Sequence, residues 1–147
     1  MNLNIKKLKD NAICPRREKT ASAGIDVCAC FDDSEDKTIA PGETLFIPTG
    51  YSFEIPEGYY GGLFARSGLG CKRNLRPANC VGVIDSDYRG ELIVALRNDS
   101  NVDQLIKHGD RVAQLVIMPY LDVTVNEVDE LSDTDRGENG FGSTGTK

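Results

Sequence analysis

The residues best suited to chemistry lie in the last dozen positions, in a segment that begins at Arg136 and reads Arg-Gly-Glu-Asn-Gly-Phe-Gly-Ser-Thr-Gly. Its four glycines raise the entropic cost of ordering, and Phe141 is its single apolar side chain, so it cannot build core. It offers a guanidinium and the hydroxyls of Ser143 and Thr144 for phosphate oxygens, open backbone N–H groups around Gly142, and a ring that can stack on a base. These groups suit a ligand with phosphates at one end and a flat base at the other, and the alternative is a frayed, solvated terminus.

A second candidate segment runs from Gly82 to Gly90 and leads from an apolar stretch into a turn with two carboxylates and a tyrosine. The stretch Val81 to Ile84 predicts a buried strand, and Asp85 follows it directly. A carboxylate at the end of a buried strand is partly desolvated and firmly oriented, as a general base must be. Asp85 and Asp87 could also merely cap a hairpin turn. We favour that role for Asp87, and we favour the chemical role for Asp85 because it adjoins the apolar stretch.

Five further residues carry groups that could hold an anion or support one. Arg66, Ser67 and Gly68 lie at the start of a predicted short helix, where backbone N–H groups attract negative charge. Gln114 interrupts an apolar run, so a buried amide there needs a partner, either a neighbouring backbone or a ligand. Asp26 is a lone acid in a predicted strand, and its position alone assigns it no role.

The composition limits the class of protein. With 147 residues, 39% hydrophobic and 27% charged, the chain suits one soluble globular domain. Seventeen basic and 23 acidic residues give a net charge of −6, which argues against non-specific binding to nucleic acid or to an anionic membrane. No stretch approaches the roughly 20 apolar residues of a membrane span. Because Met1 to Lys7 lack the apolar run of a secretion signal, we expect a cytoplasmic protein.

The cysteines and the histidine do not indicate a metal site or a serine hydrolase. The cysteines are odd in number and include no C-x-x-C pair, so we expect buried, reduced thiols at Cys14, Cys28, Cys30, Cys71 and Cys80. His108 is the single histidine and lies in a polar turn, where we expect it to be exposed. No G-x-S-x-G pattern accompanies it.

Short runs of alternating apolar residues recur about every eight to twelve positions between turn residues, which is typical of a β-sandwich, jelly roll or closed barrel. We therefore predict an all-β, single-domain fold with a turn at Pro48–Gly50 and a short helix over Ser67–Lys72. The predicted strands lie at Leu3–Ile5, Ile25–Val27, Leu45–Ile47, Tyr51–Ile55, Tyr59–Phe64, Val81–Ile84, Leu92–Leu96, Val112–Met118 and Val123–Val125.

Alternation stops near Glu130, and we divide the chain there into a β core domain of residues 1–130 and a flexible C-terminal arm of residues 131–147. At roughly 3.3 Å per extended residue, the arm could span about 50 Å. That length exceeds the diameter of a domain of this size. The arm could therefore close over a site on its own chain or on a neighbouring chain.

Five segments, taken in order, resemble the five motifs of the trimeric dUTPase family: Ala23–Val27, Arg66–Gly68, Gly82–Gly90, Gly109–Gln114 and Arg136–Gly145. The third and fifth segments are the most specific, and together the five cover most of the chain. Ala65 departs from the proline that the family often has before the arginine, which alters loop stiffness and removes no functional group. The resemblance implies a β jelly roll that assembles as a homotrimer, with three sites that are each lined by more than one subunit and closed by a C-terminal arm.

The reaction implied by the resemblance is the Mg²⁺-dependent hydrolysis of dUTP to dUMP and pyrophosphate, which keeps uracil out of DNA and supplies dUMP for thymidylate synthesis. In this reading Asp85 orients and deprotonates the water that attacks the α-phosphorus, and it meets the sugar 3′-hydroxyl. Tyr88 packs beneath the deoxyribose and occupies the space that a 2′-hydroxyl would need.

The same resemblance implies contacts to the base and to the phosphates. The uracil edge would be bound by Asn79 and by the backbone of Val81, Gly82 and Ile84. The Phe141 ring would stack over the base. The phosphates would be held by Arg66, Ser67, Gly68 and Gln114 of the core and by Arg136, Gly142, Ser143 and Thr144 of the arm. We expect Mg²⁺ to bind through phosphate oxygens and water without a direct protein ligand, and Asp26 would steady its water shell or a nearby arginine.

Two rival hypotheses stay open at this point. A dCTP deaminase or bifunctional deaminase–dUTPase would share the fold, but it needs an acid–base glutamate that no motif here supplies. A non-catalytic module could instead bind dUTP and signal to a nucleotide-dependent protein partner through ordering of the arm. The intact Asp85 favours an enzyme over such a module and does not exclude a second, regulatory role.

Overall fold

The computed structural model of the protein describes residues 1–33, 35–138 and 140 and is built mainly from short antiparallel strands. Within these ranges the elements are β1 Asn4–Lys7, β2 Ile25–Cys28, β3 Lys37–Ile39, β4 Thr44–Glu54, β5 Tyr59–Phe64, α1 Ser67–Arg73, β6 Leu75–Pro77, β7 Gly82–Ile84, β8 Glu91–Asn98, β9 Gln104–Ile106 and β10 Arg111–Pro119. In the described residues no helix is long and apolar enough to cross a membrane.

The strands form two four-stranded sheets that enclose the core, together with a two-stranded ribbon. One sheet has the order β1-β4-β8-β6, the other has the order β2-β10-β5-β7, and β3 pairs with β9. Every pairing is antiparallel. This arrangement confirms the predicted all-β, jelly-roll fold class.

Strand β8 shows why the alternating sequence folds in this way. Leu92, Val94 and Leu96 are buried in the core, whereas Ile93, on the opposite face, is exposed. Burying one such aliphatic side chain stabilises the fold by roughly 1.5–3 kcal/mol. The register of β8 against β4 is therefore set by the face that must be buried, because a one-residue slip would expose all three side chains.

Strand β4 corrects the predicted turn at Pro48–Gly50. The turn residues lie inside one continuous strand, whose pairing with β8 is interrupted between Pro48 and Ser52. Gly50 has φ +71°, and a Cβ there would lie 2.4 Å from Ala12 Cβ. Its N–H donates to Glu91 Oε1 over 2.7 Å. The turn signal thus marked an irregularity that the neighbouring strand accommodates, not the end of a strand.

The predicted strand at Val123–Val125 is wrong for the isolated chain. The pairing of β10 with β5 ends at Pro119 and Tyr59. Residues 121–128 then continue without regular secondary structure, and Val125 is 90% exposed. The alternation is present in the sequence, but in the structure this stretch lies beyond the sheet that β10 belongs to. The opposite error concerns β3, β6 and β9, which are too short to produce a recognisable alternating pattern.

The cysteines and the histidine differ in part from their predicted positions. All five cysteines are free; Cys28 and Cys30 are buried, but Cys14, Cys71 and Cys80 are exposed. Burial raises the pKa of the Cys28 and Cys30 thiols above the ordinary cysteine value. The predicted exposure of His108 is also wrong, because the ring is half-buried and its Nδ1 accepts the N–H of Phe31 over 3.2 Å.

Candidate active site

The turn between β7 and β8 presents Asp85 and Tyr88, and we call these two residues the hairpin cluster. Asp85 follows the last residue of β7, and its carbonyl accepts the N–H of Tyr88 over 3.2 Å. The Arg89 side chain braces the turn by donating to the Ser86 carbonyl over 2.6 Å. Asp85 thus lies where the sequence predicts it, directly after a strand and at the start of a turn that Arg89 holds in place.

The environment of Asp85 differs from the predicted one. β7 is an edge strand of its sheet; Gly82 is buried, but Val83 is 62% exposed and Ile84 is half-buried in the isolated chain. Asp85 itself is exposed. The expected desolvation of Asp85 by its own strand is therefore wrong, and it would have to come from a ligand or from another chain.

A cavity of about 230 Å³ lies against the hairpin. It is lined by Val83, Ile84, Asp85, Tyr88 and the first residues of β8. A larger cleft of about 470 Å³ is lined by Tyr60, Val83, Asp85, Ser86, Asp87 and Tyr120. Asp85 and Val83 border both spaces, which makes this edge of the sheet the concave surface where a small molecule could reach the carboxylate.

The segment before β7 brings backbone groups to the same edge. Val81 donates its N–H to the Asn79 carbonyl over 2.7 Å, and Cys80 between them has φ +63°. Asn79 and Val81 are exposed. Because β7 pairs with β5 along one side, the N–H and C=O groups on its other side face outward, and they can present a fixed donor and acceptor pattern to a flat base.

A second group of residues lies where β2, β5 and β10 meet, and we call Asp26, Arg66 and Arg111 the arginine cluster. Arg66 Nε donates to Asp26 Oδ1 over 2.9 Å, and Arg111 Nη1 donates to Asp26 Oδ2 over 3.1 Å. The Asp26 side chain is 12% exposed. Both oxygens of this carboxylate therefore bind guanidinium groups. Of the two roles expected for Asp26, this geometry favours holding an arginine in place over binding the water shell of a metal.

The arginine cluster adjoins the start of α1. The helix begins at Ser67, its N-cap residue Arg66 makes no side-chain cap hydrogen bond, and its first turn has no acidic residue. The first N–H groups of a helix have no partner within the helix. Ser67 and Gly68 are exposed there, so this helix start, predicted correctly from the sequence, presents N–H donors beside a guanidinium.

Gln114 joins the same region from β10. Its backbone pairs with Asp26 on one side and with Phe64 on the other, and its Nε2 donates to the Ala65 carbonyl over 2.9 Å. Of the two partners expected for this amide, a neighbouring backbone or a ligand, the nitrogen therefore binds a backbone carbonyl. This bond holds the loop that carries Arg66.

The two clusters lie at opposite ends of the β5–β7 pair. Gly61 pairs with Ile84 and Leu63 pairs with Gly82, so Asp85 lies beside Tyr60, whereas Arg66 follows the far end of β5. Six residues at roughly 3.3 Å each separate these positions by about 20 Å. A single chain therefore brings Arg66, Ser67, Gly68 and Gln114 together, but it does not bring them to Asp85.

The arm residues can be placed only in part. Arg136 is exposed. The other predicted arm contacts, Phe141, Gly142, Ser143 and Thr144, lie outside the described residues. In residues 1–33, 35–138 and 140, no group of three or more histidine, cysteine or acidic side chains could hold a metal ion.

Three residues in these contacts escaped the sequence analysis, and the first is Arg111, whose guanidinium donates to Asp26. Glu18 Oε2 accepts from Arg111 Nη1 over 2.7 Å, although 93 positions separate the two residues. Glu91 accepts the Gly50 N–H through its carboxylate. Glu18 lies in an irregular loop that carries no pattern, whereas Glu91 could have been found as a charged residue directly before the apolar run Leu92–Leu96.

Comparisons with known proteins identify the family. The dUTPase family model matches residues 10–145. The deoxyuridine 5'-triphosphate nucleotidohydrolase of Nautilia profundicola is 47% identical over 145 residues, which cover 99% of each chain. A mutant of the Staphylococcus bacteriophage 80alpha dUTPase, solved with dUpNHpp, has a TM-score of 0.82 and 32% identity over 98% of both chains. A mutant dUTPase from phage phi11 of S. aureus, which coordinates a structural Mg(II) ion, has a TM-score of 0.79 and 28% identity, covering 90% of this chain and all of that one. The chain therefore belongs to the dUTPase family.

Proposed function

We propose that the protein hydrolyses dUTP to dUMP and pyrophosphate, with Asp85 as the general base. The observation that carries this assignment is the position of Asp85, a carboxylate on a braced turn that borders the hairpin cavity together with Tyr88. As water attacks the α-phosphorus, Asp85 takes a proton from it. The bond from the α-phosphorus to the bridging oxygen breaks, and pyrophosphate leaves. A correctly placed general base contributes roughly 10²–10⁴ to the rate.

The nucleoside end of dUTP fits the hairpin. Asn79 and the backbone of Val81, Gly82 and Ile84 would bind the uracil edge, because fixed donors and acceptors match uracil and leave cytosine with unpaired groups. Tyr88 would lie beneath the deoxyribose. Phe141 of the arm would stack over the base.

The triphosphate end fits the arginine cluster. Ser67, Gly68 and Gln114 would hold the α- and β-phosphates at the start of α1, beside Arg66, whose guanidinium Asp26 anchors. The arm would complete the grip on the γ-phosphate through Arg136, Gly142, Ser143 and Thr144. Mg²⁺ that arrives on the phosphate oxygens would neutralise part of their charge. The carboxylates of Asp26 and Glu18 are both engaged by arginines, which fits a metal held by the substrate.

The complete site is proposed to form between chains of a homotrimer. Within one chain the two clusters are about 20 Å apart, since six residues at roughly 3.3 Å each separate them. A water held by Asp85 could not reach a phosphate held by the arginine cluster over that distance. Exposed apolar side chains after β10 give independent support, because a surface of this kind usually contacts another chain. They are 56–90% exposed and comprise Leu121, Val123, Val125, Val128 and Leu131.

The activity is tested by giving the purified protein dUTP, dCTP, dTTP and UTP separately with Mg²⁺ and by measuring pyrophosphate and ammonia. Pyrophosphate from dUTP alone is the expected result. Ammonia from dCTP would replace this proposal with the deaminase reaction. Absence of product from all four would contradict enzymatic activity and support the dUTP-binding module.

A further inference from the structure

The Tyr88 ring is folded back against the backbone of the same turn. A Cβ placed on Gly90 would lie 2.3 Å from the Tyr88 Oη and 2.5 Å from its Cζ. Cβ atoms essentially never approach other heavy atoms this closely, so the observed ring position requires a glycine at position 90. The Tyr88 hydroxyl also donates to the Glu91 carbonyl over 3.0 Å.

The carbonyl that receives this hydroxyl is itself held in place. The Glu91 carboxylate accepts the Gly50 N–H over 2.7 Å, at the point where the pairing of β4 and β8 is interrupted. One residue away, the buried Thr49 hydroxyl donates to the Leu92 carbonyl over 2.7 Å. Two hydrogen bonds from the β4 irregularity thus fix the first residues of β8, and with them the acceptor for Tyr88.

These contacts matter because Tyr88 is 46% exposed. A half-exposed side chain with few neighbours can change rotamer at little cost. Exclusion of a substrate group by a clash discriminates strongly only when the wall is rigid, since a wall that can move loses the discrimination. The ring therefore needs anchors, and the turn supplies them.

We propose that Gly90 and Glu91 are positioning residues for sugar selectivity, because they hold the Tyr88 ring where it excludes a ribose 2′-hydroxyl. This inference rests on the proposed dUTP hydrolysis. Gly90 leaves the space that the ring occupies, the Glu91 carbonyl binds its hydroxyl, and the Glu91 carboxylate ties that carbonyl to β4.

The test measures kcat/KM for UTP relative to dUTP in purified variants. Gly90→Ala displaces the ring, so the ratio is expected to rise by roughly tenfold or more, the scale of a lost steric contact in a specificity pocket. Tyr88→Phe keeps the ring and removes its hydrogen bond, so the ratio is expected to rise less. Glu91→Ala should raise the ratio as well, whereas Glu91→Gln retains an acceptor for the Gly50 N–H and should keep it near the wild-type value.

A double-mutant cycle separates positioning from general damage. In a Tyr88→Ala background, adding Gly90→Ala should not change the ratio further, because the residue through which Gly90 acts is gone. An unchanged ratio in both Gly90→Ala and Tyr88→Phe, with Tyr88→Ala altered, would overturn the inference and leave the sugar role of Tyr88 intact. If Gly90→Ala does not fold, Tyr88→Phe and the Glu91 pair decide the matter. A wild-type protein without dUTP hydrolysis would contradict the proposed function itself, which is a distinct outcome.

Discussion

At the scale of single residues, two acids that both lie on strands or at their ends have different environments and suit different tasks. Asp26 is 12% exposed, and its two oxygens bind Arg66 and Arg111. Asp85 is exposed on the turn after β7 and borders both clefts of the hairpin. A carboxylate whose oxygens are occupied by guanidinium groups is an anchor, whereas an accessible one can accept a proton from water.

Asp85→Asn is expected to lower kcat by roughly 10²–10⁴, the usual contribution of a general base. The amide keeps the size of the side chain, so nucleotide binding should be largely retained. Steady-state kinetics with dUTP and a binding measurement with dUpNHpp distinguish the two effects. Near-normal turnover would refute the assignment of Asp85.

Asp26→Asn should weaken dUTP binding, because Arg66 and Arg111 lose the charge that holds them. The Asn oxygen can still accept from one arginine, so the change removes one charge-assisted hydrogen bond and the carboxylate charge. Discounted for the partial exposure of both arginines, this should also cost about 1–3 kcal/mol of folding free energy. Glu18→Gln is the matched control: it removes the charge of an exposed partner of Arg111 but keeps an acceptor oxygen, and it should cost less than about 1 kcal/mol. Urea unfolding and KM for dUTP measure both effects, and equal results for the two variants would contradict the anchoring role.

At the scale of elements, the sequence predicted those whose pattern is local and missed those that depend on a partner. The strand Tyr59–Phe64 and the start of α1 at Ser67 were predicted correctly, because alternation and glycine-rich turns define them locally. The residues around Gly50 predict a turn, and this prediction is wrong because only the pairing with β8 shows that the strand continues. The alternation at Val123–Val125 forms no strand in the isolated chain, where this stretch is exposed.

The C-terminal arm gives a prediction at this scale. Deleting residues 136–147 should leave the assembly intact, because this segment cannot build core, and should abolish most catalysis. Light scattering gives the mass of the truncated protein, and pyrophosphate release gives its activity. A truncated protein that dissociates or unfolds would mean that the arm is a structural element.

At the scale of the whole molecule, the decisive feature is the separation of the two clusters. Asp85 and Arg66 could be found from the sequence, since Asp85 follows an apolar stretch and Arg66 precedes a helix start. Their placement at opposite ends of the β5–β7 pair could not, because it depends on the register Gly61–Ile84 and Leu63–Gly82. If Asp85 and the arginine cluster act on one substrate, as proposed, this register would require a second copy of the chain to complete the site.

The measurement that tests this account most directly is complementation between two inactive variants. Asp85→Asn lacks the general base, and Ser67→Asp places a negative charge where phosphate must bind, at an exposed position that should tolerate it. Each variant alone should be inactive. Refolded together in equal amounts, they should regain activity at about one site in four, because random assembly of a symmetric trimer pairs an intact hairpin with an intact arginine cluster at that frequency. A mixture as inactive as its components would show that each chain carries its own complete site, and would contradict the account.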